Sequence, residues 1–218
     1  MRMAVQILLE VIIVLLGTCG LVLHSGLTRG ELRKDFFRYY TNLSNLLVTM
    51  FYLIRLVVRI MKSYGGFFGK IVFSELWFYS VTMTIFLTFG IFHFVLVPQL
   101  RKAPSGSDEF RFMHSFSNYI VHYVIPLLSL LNWLLFGNKS EMQYSWAVIW
   151  TVIPLCYVVY AMIAGARGKI IGNTDSAYPY DFMDVSKHGK AVVTRNCFLV
   201  FLVFVLVGLL FLFIRMAI

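Results

Sequence analysis

Six apolar stretches, each near the length of a bilayer-crossing helix, organise this chain, and the segments between them are short. They cover residues 4–23, 40–61, 71–97, 119–136, 144–164 and 191–214. A helix rising 1.5 Å per residue needs about 20 apolar residues to cross a hydrocarbon layer roughly 30 Å thick. Lipid offers no hydrogen bonds, so such a stretch must satisfy its own backbone, and a helix does so. Composition agrees. Sixty per cent of the 218 residues are hydrophobic and 13% are charged, against about a quarter charged in soluble domains. A globule of this size has too little interior to hide that much apolar surface. The expected fold is therefore all-α, a polytopic membrane protein built as one bundle of six transmembrane helices over residues 1–218. Loop punctuation fits: Gly26 and Gly30, Gly65–Gly66, Pro104 to Gly106, Gly137–Asn138, and a longer fifth loop over 165–190. The first stretch follows one Arg and has no small-residue cleavage motif after it, so it reads as a retained span.

The net charge of +9 is not a nucleic-acid signature, because the basic residues sit in short patches between apolar runs. Patches of that kind hold anionic lipid and set topology. Of the 19 Lys and Arg, 12 lie in or beside the first, third and fifth loops and seven on the other face. The positive-inside rule then places those loops in the cytoplasm and both termini outside, as expected for a multi-pass protein of the cell (plasma) membrane. Cys19, Cys156 and Cys197 are odd in number and lie in or beside apolar runs, which suggests no disulfide framework. No metal-ligand spacing occurs, so neither a metal nor another cofactor is expected. The partners expected are the bilayer and a lipid, with no nucleic acid and no protein partner indicated.

Polar side chains inside the spans carry the chemistry, since each is costly in lipid unless it faces the bundle interior. In the second span Thr41, Ser44, Asn45, Thr49 and Tyr52 form one helical stripe. In the fourth, Ser115, Asn118, His122, Pro126, Ser129 and Trp133 form another. Such stripes commonly serve as interhelical packing. Here both are densest toward the face of the odd-numbered loops, where His93, Arg195 and Asn196 also fall. A hydroxyl beside an imidazole is the minimal nucleophile–base pair, and imidazole suits general-base work near neutral pH. Glu10 is an intramembrane carboxylate, and Arg55 at similar depth is its expected structural partner. A haem held between His93 and His122 is a further, weaker reading. His24, His114 and His188 fall at loop edges, where solvation is expected. The stripe Trp150, Pro154, Tyr157, Tyr160 reads as core packing or as the wall of an acyl-chain cavity.

Three short motifs occur in order: Tyr40-Thr41-Asn42-Leu43-Ser44-Asn45-Leu46, then His122-Tyr123-Val124-Ile125-Pro126-Leu127-Leu128 continuing to Asn132-Trp133, then Tyr178-Pro179-Tyr180-Asp181-Phe182-Met183-Asp184. Together they resemble the androgen-induced-gene and androgen-dependent TFPI-regulating protein family, including bacterial members, over essentially the whole chain. The resemblance implies a membrane-embedded hydrolase that cleaves fatty acid esters of hydroxy fatty acids with a threonine nucleophile and a histidine. Thr41 matches the threonine, His122 the histidine, and Asp184 the acidic residue closing the Tyr-Pro motif. Asn45 or Asn118 is the expected oxyanion donor, Asp184 the expected orienter of His122, and Arg195 or a loop Arg the expected holder of the substrate carboxylate. The competing expectation is a non-catalytic lipid-binding or transport protein.

Overall fold

A computed structural model describes residues 1–171 and 175–217. It is helical throughout, with no strand among the described residues. Six helices are long and apolar enough to cross a membrane: α1 Arg2–Ser25, α2 Tyr40–Met61, α3 Glu75–Leu100, α4 Phe116–Phe136, α5 Trp146–Ala166 and α6 Val185–Ala217. The chain is a multi-pass membrane protein. The part of the fifth loop over 172–174 lies outside the described residues.

The helices divide into a tight core and a looser flank. Helices α1 to α4 pack on one another, with α1 against α2 and α3 against α4. The most apolar window of α3 is 61% buried and that of α6 only 11%, so α3 is the central post and α6 a peripheral one. Both predicted polar stripes turn inward. Thr41, Ser44, Asn45, Thr49 and Tyr52 are buried, as are Asn118, His122, Ser129 and Trp133.

Loop contacts fix which ends lie together. Arg38, in the first loop, donates to the carbonyls of Lys169 (3.1 Å) and Ala177 (2.6 Å) in the fifth. Arg33, Lys102 and Pro179, from the first, third and fifth loops, line one cavity. At the opposite end Arg2 donates to the Leu135 carbonyl and Arg215 to that of Gly137. The predicted alternation of loops is therefore the observed one.

The third span begins differently from its predicted 71–97. A short helix, Phe67–Val72, precedes a break, and α3 starts at Glu75. At the break Arg55 donates to the Val72 carbonyl at 2.6 Å, giving the end of the short helix a side-chain partner. Near its start, α6 is interrupted at Gly189, whose φ of 75° is open to glycine but strained for most residues. The predicted Glu10–Arg55 pair forms at 2.7 Å, with Arg59 joining at 3.2 Å. Arg55 also lies against the rings of Phe73 and Phe78.

Candidate active site

Two helical turns set the site. In α3, residues Phe92–Leu96 adopt a π-helical turn, and in α4 residues Ile120–Val124 do the same. Each turn is followed, one residue later, by a proline, Pro98 or Pro126. Proline lacks the N–H that the helix ladder requires, so the register must adapt around it. In α4 the Ile125 N–H reaches back to the Ile120 carbonyl, five residues away. Continuing that register would pair the Val121 carbonyl with residue 126, which has no N–H to give. The Asn45 amide supplies the bond instead, donating to the Val121 carbonyl at 3.0 Å and to the Thr41 carbonyl at 2.8 Å. A proline in one helix thus recruits a side chain from another, and α2 is clamped to α4 beside Thr41 and His122.

His122 lies within that widened turn. Its Nε2 is 3.2 Å from the Thr41 hydroxyl, and its Nδ1 is 3.1 Å from the Asn118 carbonyl. A carbonyl can only accept, so Nδ1 carries the proton. That tautomer leaves the Nε2 lone pair facing the hydroxyl, as a general base requires. Thr41 is 8% exposed and His122 3%. Phe92 stacks on the imidazole with ring centroids 3.8 Å apart and holds its plane.

Two cavities meet at Thr41, and His122 borders the second. One, of about 430 Å³, lies between α2, α3, α5 and α6 and is walled by residues such as Leu87, Ile91, Trp150, Val158 and Phe201. The other, of about 590 Å³, opens among the odd-numbered loops and is lined by His24, Arg33, Gln99 and Lys102, with no acidic side chain among its described lining residues. Thr41, Phe92, Leu96 and Tyr180 border both.

The supporting residues expected from sequence take other roles. The Asn45 amide is committed to backbone carbonyls. Asn118 donates its side-chain amide to the Met113 carbonyl (3.1 Å) and its backbone carbonyl accepts from His122, so it orients the imidazole and is not placed as the expected donor. Among the described residues no hydrogen bond links Asp184 to His122. Asp184 instead accepts from the Ser176 hydroxyl (2.5 Å), from the Ser186 hydroxyl, and from the backbone N–H groups of Ser186 (2.8 Å) and Lys187 (3.2 Å). It caps the start of α6 and pins the fifth loop. Arg195 is exposed and borders neither cavity. Both ring nitrogens of His122 are engaged within the protein and His93 Nδ1 pairs with the Tyr123 hydroxyl at 3.1 Å, an arrangement that does not offer a histidine pair to a haem iron. Of the other histidines, His24 departs from its predicted solvation, packing edge-on to His122 with centroids 6.3 Å apart.

Tyr180 was not singled out by sequence reasoning, although it lies inside the third motif. Its hydroxyl accepts from the Tyr40 N–H at 3.1 Å at the start of α2. Burial pushes the phenol up to about 12, against hydrogen bonding with Thr41, Tyr40 and Tyr157. It is therefore a neutral phenol at physiological pH, beside Thr41 and at the border of both cavities. In the second cavity Arg33 and Lys102 stand where Arg195 was expected to serve. No protein-family model, no curated protein and no solved structure matches the chain.

Proposed function

We propose that the protein is a membrane-embedded lipid esterase with Thr41 as nucleophile and His122 as general base. The observation that carries the reading is a buried hydroxyl aimed at the unprotonated nitrogen of an imidazole, at the meeting point of an apolar cavity and a basic one. The resemblance of the three motifs to the androgen-induced-gene family supports the same reading and suggests fatty acid esters of hydroxy fatty acids as substrates.

The chemistry follows from the geometry. Thr41 Oγ1 attacks the ester carbonyl carbon as its proton passes to His122 Nε2. The carbonyl oxygen becomes an oxyanion, for which the Tyr180 O–H is the candidate donor. Collapse of the intermediate breaks the bond to the alcohol oxygen, which takes the proton from Nε2 and leaves. Water then attacks the acyl-threonine, giving a proton to Nε2. Cleavage of the Thr41–acyl bond releases the fatty acid and returns that proton to Thr41. The Asn118 carbonyl keeps Nδ1 protonated throughout, so the imidazolium formed at each step is stabilised. The basic loops suit a cytoplasmic face of the cell membrane.

A second reading, lipid binding or transport, draws on one observation: the buried polar stripe of α2 continues past Thr41 through Thr49 and Tyr52 to Arg55. Purified protein assayed against fatty acid esters of hydroxy fatty acids separates the two. Wild type should hydrolyse them without added metal, Thr41→Ala and His122→Ala should each lose nearly all activity, and the double variant should lose no more than either. Folded protein that binds these lipids and leaves them intact would favour the second reading.

A further inference from the structure

Resting on the catalytic reading, we infer that the ester binds in one orientation, its acyl chain in the apolar cavity and an anionic alcohol portion in the basic cavity. The two compartments differ in ways that leave little freedom. Lining residues of the apolar cavity on α6 run from Thr194 to Phe204, about 15 Å along a helix at 1.5 Å per residue. Leu155 and Phe198 line it while remaining 46% and 57% exposed. Both stand within spanning helices, so the cavity opens sideways between α5 and α6 into lipid, where acyl chains already reside.

The other compartment opens among the loops, where water and ions reach it. Among its described lining residues the charge is all of one sign: Arg33 from the first loop and Lys102 from the third. A carboxylate or a phosphate on the alcohol portion would meet two cations there, whereas an acyl chain would strip their hydration. With the carbonyl at Thr41, the bond that breaks lies at the boundary. The acyl group stays on Thr41 with its chain in the apolar cavity, and the charged alcohol departs toward water.

Cys197 borders the apolar cavity and allows a test on folded protein. In a Cys19→Ser, Cys156→Ser background, benzyl methanethiosulfonate would plug that cavity reversibly. It should lower kcat/KM for long-chain esters by tenfold or more and leave acetate esters of the same alcohol within about threefold, with thiol reductant restoring the loss. Arg33→Gln combined with Lys102→Gln should raise KM about tenfold for esters of hydroxy-carboxylate or phosphorylated alcohols, and leave esters of the matching neutral methyl ester unchanged. Preference between the carboxylate and phosphate substrates in wild type identifies the natural anion. Equal loss on long and short acyl chains after plugging, or loss of anion preference on plugging in place of acyl-length preference, would overturn the orientation while leaving catalysis standing. Absence of hydrolysis by the unmodified protein on every ester would defeat the catalytic reading and the orientation with it.

Discussion

At the scale of single residues, the site depends on which atom of each polar group is free to act. Asn45 and Asn118 each lie one helical turn from Thr41 or His122 and Asp184 closes the third motif, yet the two amide nitrogens donate to backbone carbonyls and the carboxylate accepts from hydroxyls and N–H groups. Tyr180, which borders both cavities beside Thr41, is the candidate oxyanion donor. Tyr180→Phe should lower kcat by about 100-fold or more, the usual cost of losing an oxyanion donor, with KM little changed. Unchanged turnover in that variant would remove Tyr180 from the mechanism. The positions of Thr41 and His122 were legible in the sequence, because helical spacing alone placed each on a polar stripe near the same membrane face. The placement of Tyr180, His24, Arg33 and Lys102 around the cavity beside Thr41 was not. Three come from loops and His24 from the end of α1, where no periodicity reports direction, and only the folded loops bring them to Thr41.

At the scale of elements, the prolines do more than interrupt helices. Pro126 forces the widened turn that aims His122, and Asn45 closes the hydrogen-bond deficit that results. An interior proline costs a helix about 3 kcal/mol. Pro126→Ala should therefore leave the melting temperature unchanged or raise it, while activity falls at least tenfold as the turn relaxes and the imidazole swings from Thr41. Full activity would show that the turn does not depend on the proline. The cap of α6 gives a prediction in pH. Burial opposes the Asp184 charge, but two hydroxyls and two backbone N–H groups outweigh it and hold the carboxyl at about 2, below its ordinary 3.8. A depressed carboxyl stabilises the fold above its unfolded value, and that contribution drains away as pH falls through the folded one. Asp184→Asn should lower the melting temperature at neutral pH, and the gap from wild type should narrow from about pH 4 toward pH 2. A gap independent of pH over that range would contradict the role of charge in the cap. Span boundaries were readable from hydropathy to within a few residues, except that α3 starts at Glu75 and not at 71, and that α6 starts at Val185, ahead of the predicted 191, because its first turns are polar and hydropathy does not register them.

At the scale of the whole molecule, the bundle is anchored at one end and hollow at the other. Glu10, fully buried, is clasped by Arg55 and Arg59 toward the face opposite Thr41. Removing one member of a buried ion pair costs about 3–5 kcal/mol, because the remaining charge is left uncompensated. Glu10→Gln should accordingly lower thermal stability in detergent by a shift of that order, with turnover of the surviving folded protein preserved. Lost activity at unchanged stability would make Glu10 part of the reaction. The sequence announced this pair through two charges in apolar runs at matched depth, and it announced the six-helix topology through length and hydropathy. Of the hollow end the sequence offered one wall, the stripe of α5 of which Trp150, Pro154 and Tyr157 line the apolar cavity; the rest depends on how α6 and the loops stand off the core. The central claim, that Thr41 becomes acylated, is tested most directly by quenching turnover of a long-chain ester with acid and mapping the acyl group by mass spectrometry. Wild type should carry an acyl mass on Thr41, and Thr41→Ala should carry none. An acyl group on another residue, or equal turnover by Thr41→Ala, would contradict it.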